Sequence, residues 1–185
     1  MQLRTVLAAT LFALALALPQ FGAQAADDML TVAQDNRTTE ETLARYFKAA
    51  YEVSLTVVEG DDKDLTLLAR EKAENVPEYL MMLKSAASAT DKDGKITERA
   101  VVLAVLSQMK VPADRRPQVL EAMNKLNNTS DFCRLYIDND DEVSMRWELN
   151  ILKTGLPTDV VVDTYLRMCK AWTSAQPVLA KILIQ

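Results

Sequence analysis

The stretch Arg134-Leu135-Tyr136-Ile137-Asp138-Asn139-Asp140-Asp141-Glu142-Val143-Ser144-Met145-Arg146-Trp147-Glu148-Leu149 decides the fold. Val143, Met145, Trp147 and Leu149 alternate with Ser144, Arg146 and Glu148, the period of two that buries one face of a strand. Four polar residues, Asp138 to Asp141, join this run to the one before it. Residues 132–137 and 143–151 therefore read as a β-hairpin.

Working outward, Gly155-Leu156-Pro157 turns the chain, and Thr158 caps a final helix. Val161, Val162, Tyr165, Met168, Cys169 and Trp172 share its buried side. Pro177 is expected to interrupt that helix. Before the hairpin, Pro112 introduces a helix striped by Val119, Leu120, Met123 and Leu126. It ends at Asn127-Asn128, with Pro117 in its first turn. The run Val101 to Leu106 is apolar on both sides, and periodicity leaves strand and buried helix open for residues 97–110. Val101, Val102 and Val105 favour a strand.

In the first half, Thr38-Thr39-Glu40-Glu41 reads as a capping box, with Thr38 as cap of a helix running to about Ala50. Tyr51, Val53, Leu55 and Val57 then alternate as a strand. A second strand spans 65–70, after the turn at Gly60-Asp61-Asp62, and a third spans 78–88. The order is helix, strands, helix, hairpin, helix. Hairpin connections outnumber long crossovers, so the expected fold is α+β, a largely antiparallel sheet with helices packed on it.

Residues 1–25 have the layout of a cleavable signal peptide. Arg4 is followed by an apolar run over 6–18 and then Ala23-Gln24-Ala25, with cleavage expected after Ala25. Residues 26–36 are expected to be a flexible N-terminal segment, and 37–185 a single domain. The expected location is the periplasm. The 185-residue chain carries 21 Lys and Arg against 26 Asp and Glu, a net charge of −5. That balance argues against nucleic acid and against anionic membrane surfaces as partners. With no histidine and four glycines, the usual general base and a phosphate-cradling loop are both missing. No catalytic residue, cofactor site or metal site is expected.

Cys133 and Cys169 are expected to form a structural disulfide, worth roughly 3–4 kcal/mol on a chain-entropy argument. Two separate buried thiols are the alternative. Asp91-Lys92-Asp93-Gly94-Lys95-Ile96 resembles the middle of a calcium loop, but Ala89 and Ala100 stand where the outer ligands belong, so a solvated turn is expected. The acids from Asp138 to Glu142 read in the same way. Met81 and Met82 point to opposite faces of one strand. With Val102 and Leu106 they mark a candidate protein-binding surface.

The hairpin, with Asn127, Tyr136, Asp138, Trp147, Leu149 and Gly155-Leu156-Pro157-Thr158 around it, resembles the YbjN domain family. The resemblance spans about residues 38–172, by motif from about 112 onward and by element order before that. It implies a fold similar to the small secretion chaperones, helices on an antiparallel sheet, with homodimerisation as an option. It implies no catalytic motif and no functional residues to carry over, and it points toward stress responses or protein binding. The expected function is an exported, non-enzymatic protein-binding domain. A periplasmic hydrolase using Asp and Glu, or a small-ligand or lipid carrier, is the alternative.

Overall fold

The computed structural model describes residues 29–74, 76–129 and 133–184. The signal peptide expected over 1–25, its cleavage at Ala25, and Phe132 lie outside the described residues. The element order is β1 (Met29–Leu30), α1 (Asn36–Tyr51), β2 (Thr56–Glu59), β3 (Leu65–Ala73), β4 (Val76–Thr90), β5 (Ile96–Lys110), α2 (Arg116–Thr129), β6 (Arg134–Ile137), β7 (Glu142–Ile151), β8 (Leu156–Pro157) and α3 (Thr158–Ile184). Six strands form one antiparallel sheet in the order β2-β3-β4-β5-β7-β6, and β1 pairs with β8 in a separate two-stranded ladder. This is the α+β fold expected from the sequence, and residues 97–110 are strand.

Local chemistry moved several boundaries. The α1 cap is Asp35, not Thr38, because the Asp35 carboxylate accepts the Thr38 N–H at 2.7 Å. At the other end Glu52 adopts φ 57°, and its N–H and that of Val53 close on the Lys48 and Phe47 carbonyls at 3.2 and 3.3 Å. That left-handed closure keeps Tyr51 in the helix. The strand expected from Tyr51 therefore starts only at Thr56. Met29 and Leu30, within the segment expected to be flexible, pair with β8, and Leu30 is fully buried. Gly155 permits that pairing: its φ is +90°, and a Cβ there would lie 2.7 Å from Met29 Cε and 3.1 Å from the Leu30 carbonyl oxygen.

Two helix expectations change as well. Val119 and Met123 face the core, but Leu120 is exposed. The final helix continues through Pro177 to Ile184, with Ala175, Gln176 and Leu179 buried around the proline. Burial on both sides offsets the one hydrogen bond that proline cannot donate.

The expected disulfide is absent: Cys133 and Cys169 are both free thiols. The Cys133 thiol points to Met145 Sδ at 3.2 Å, between β6 and β7. Cys169 sits with Tyr79 and Tyr165 instead. Sharing a buried layer did not bring the two sulfurs into one neighbourhood.

Strand register sorts the sheet into two faces. Leu67, Leu83 and Leu103 form one row across the sheet, and Ala69, Met81, Val105, Met145 and Leu135 form the next. Almost all of these are under 5% exposed, because α1, α2 and α3 pack on this side. Phe47 of α1 meets Tyr165 of α3 edge to face at 5.1 Å, and Tyr79 of β4 lies 6.1 Å from Trp172. Alternate residues point to the opposite side, where no described helix packs.

Candidate protein-docking face

The helix-free face follows from the same register. One row runs Leu68, Met82, Ala104, Arg146, Arg134. The row on one side holds Arg70, Leu80, Leu106, Ser144 and Tyr136, and the row on the other holds Lys84, Val102 and Glu148. Leu68, Leu80, Met82, Val102 and Leu106 are half-buried by one another around the small Ala104. At strand spacings of ~4.8 Å and same-face repeats of ~6.8 Å, the six residues of this apolar centre cover on the order of 200 Å².

The residues singled out from the sequence divide between the faces. Met82, Val102 and Leu106 lie together on the open side. Met81 does not, being fully buried under the helices. Leu68 and Leu80 were missed because the strand assignments gave no cross-strand register. Knowing that Met82 stands opposite Leu68, and Leu80 opposite Leu106, would have found them.

Ion pairs frame the patch. Arg70 pairs with Glu78, Lys84 reaches Asp62 and Asp64 at 3.5 Å each, and Arg146 holds Glu148 at 3.1 Å. At the β6–β7 end an open groove of about 530 Å³ is lined by Arg134, Tyr136, Arg146, Trp147 and Glu148. Arg134 and Arg146 stand directly opposite each other, and Tyr136 is 37% exposed. With two arginines against the single carboxylate of Glu148, the groove lining is locally basic in an acidic chain.

The acid-rich stretches are turns with one shared geometry. At each of three hairpin tips a residue accepts a carbonyl-closing bond from the fourth, which adopts a left-handed backbone: Gly60 with Lys63 (φ 65°), Asp91 with Gly94 (φ 77°), Asp138 with Asp141 (φ 58°). The Asp91 carboxylate accepts the N–H groups of Asp93 and Lys95 at 2.9 Å. Asp138 accepts those of Asp140 and Glu142 at 3.0 and 2.9 Å, and the Ser144 hydroxyl at 2.9 Å. Slight burial pushes the Asp138 pKa up, but these donors outweigh it and hold it below the ordinary value. Its oxygens are spent on the turn. Among the described residues, no three His, Cys, Asp or Glu side chains converge as a metal-binding set.

Two polar clusters lie on the helix side. Glu40 of α1 is fully buried, and burial raises its pKa to about 7 against the lowering effect of its hydrogen bonds to Ser85. It faces the sheet interior, not a cleft. Around α3, the Tyr165 hydroxyl donates to Glu71, and burial pushes the Cys169 thiol up to about 11, away from nucleophilic character. Neither cluster opens onto the groove.

The class defined by this geometry is an α+β domain with three helices on one face of a six-stranded antiparallel sheet and the other face uncovered. Residues 96–173 match the YbjN family, described as a "Putative bacterial sensory transduction regulator". The match runs from the start of β5 into α3, so Val102, Leu106 and the groove lie inside it, whereas Leu68, Leu80 and Met82 precede it. No curated protein matches the chain. No described helix is long and apolar enough to cross a membrane.

Proposed function

We propose that the chain is an exported, non-enzymatic binding domain that docks a protein partner on the open face of its sheet, in a chaperone-like or stress-related role. The observation that carries this reading is the half-buried apolar centre of Leu68, Leu80, Met82, Val102 and Leu106, with no described helix over it. A flat apolar centre with a charged rim suits association with another protein. The periplasm is the compartment in which that association takes place, following the export signal at residues 1–25. A regulatory family description agrees with a module that works by binding. The carboxylate-hydrolase alternative has less behind it, since among the described residues the one carboxyl raised to about 7, Glu40, is taken up by Ser85 in the core.

The test is capture from periplasmic extract by the purified chain and by a Met82→Asp/Leu106→Asp variant. Both substitutions point away from the core, so the fold is retained. A protein recovered by the parent and lost by the variant supports docking on this face. Equal recovery by both, or turnover of a substrate that the variant retains, overturns it.

A further inference from the structure

The two edges of the main sheet are finished differently. In β6 the outward-pointing backbone groups include those of Leu135. This follows because the bond from the Asp138 N–H to the Glu142 carbonyl places Arg134 and Tyr136 in the rungs toward β7. Asn127 of α2 closes that edge. Its amide donates to the Leu135 carbonyl at 3.0 Å, and its oxygen accepts the Leu135 N–H at 2.8 Å. A side chain thus occupies the place where another strand would pair.

At the opposite edge, the bond from the Gly60 N–H to the Asp64 carbonyl fixes the same alternation. Thr56 and Val58 make the rungs toward β3, so the N–H and C=O groups of Val57 and Glu59 point outward. Among the described residues, no strand lies beyond β2. All four of its residues are exposed, Val57 at 48% and Val58 at 42%. It has no proline, no lysine and no bulge, and its one charged side chain, Glu59, is held by Arg37 of α1 at 3.0 Å. Between residues 52 and 64 the chain places five carboxylates against a single lysine, and with Arg37 on Glu59 and Lys84 shared by Asp62 and Asp64 an acidic excess still remains. A second copy pairing β2 against β2 would bring these acids together, which disfavours self-association here.

We infer that β2 is a strand-addition site for an extended, basic segment of another protein, held by the outward backbone groups of Val57 and Glu59. Main-chain pairing supplies the attachment, and the surrounding carboxylates select lysine- or arginine-bearing strands. This surface is distinct from the apolar centre of the open face, and the inference stands or falls apart from docking there.

The test titrates the full chain with a fluorescent peptide alternating lysine and valine. Controls are an alternating glutamate–valine peptide and a lysine–valine peptide interrupted by proline. Binding by the first, weakened about tenfold or more in both controls, is expected. Val57→Pro removes one outward donor while leaving the β2–β3 rungs in place, so it should fold normally and bind about tenfold more weakly. Val57→Lys, which blunts the edge by charge, should do the same if proline disturbs folding. The Met82→Asp/Leu106→Asp variant should bind the peptide like the parent. Undiminished binding by the proline-interrupted peptide, or by both Val57 variants, overturns strand addition. Equal binding of the glutamate–valine peptide overturns the charge selection.

Discussion

Glu40 and Ser85 meet where the sheet ladder is interrupted. The Glu40 carboxylate accepts both the backbone N–H of Ser85 and its hydroxyl, the latter at 2.7 Å. One helical turn earlier, Asn36 donates to the Leu65 and Ser85 carbonyls at 3.1 and 3.0 Å and accepts the Leu65 N–H. Paired strand residues begin only at Leu67 and Leu83, so two side chains of α1 stand in for the missing rung between β3 and β4. This wedge fixes α1 on the helix-bearing face of the sheet.

The ionisation of Glu40 gives stability a pH dependence. An acid whose pKa rises on folding, here from 4.5 to about 7, holds its proton more tightly folded than unfolded. Its stabilising contribution is full below about 4.5 and is lost as pH rises through about 7, a change of up to about 3 kcal/mol. Glu40→Gln keeps an acceptor for the Ser85 N–H and cannot ionise. Urea unfolding at pH 5 and pH 8 should show a loss in the parent and a much flatter response in the variant. An unchanged slope would remove Glu40 as its source.

The two asparagines that replace backbone pairing should be costly to truncate. Asn36→Ala leaves buried groups of Leu65 and Ser85 unpaired and should destabilise by about 2–3 kcal/mol. Asn127→Ala exposes the Leu135 edge, with a smaller loss of about 1 kcal/mol and a greater tendency to associate. Chemical denaturation and light scattering check both.

Lys63 adopts φ 65° at a hairpin tip whose counterpart in the Asp91 turn is Gly94. Lys63→Gly relieves the left-handed strain and should stabilise by about 0.5–1 kcal/mol. Asp61→Gly at the same tip should bring no gain. Thermal melts of the two variants compare them directly.

Because both thiols are free, reductant should not change the melting temperature. The chain unfolded without reductant should take up two alkylating groups, seen by mass. A reductant-sensitive melt with no alkylation would restore the disulfide.

Much of the architecture was legible because alternation and hairpin chemistry are local. The hairpin around Asp138, the strand at 78–88 and the stripe from Val161 to Trp172 were all read this way. Boundaries set by caps were not, since Asp35 and Glu52 act through one or two local hydrogen bonds that leave little periodic trace. The docking face was half legible. Strand alternation separates Met81 from Met82 but does not say which of them the helices cover. That choice depends on long-range contacts such as Glu40 with Ser85. The cysteines failed as a pair for the same reason: alternation reports a face, not a distance across the core.

Site-specific photocrosslinking in the periplasm tests docking on the open face most directly. A photoreactive residue at position 82 or 106 lies within the apolar centre, and one at Leu166, on the exposed side of α3, serves as the comparison. Discrete protein adducts from positions 82 and 106, absent at 166, are the expected result. Adducts of equal yield at all three positions, or none at 82 and 106, would contradict a protein-docking role for this face.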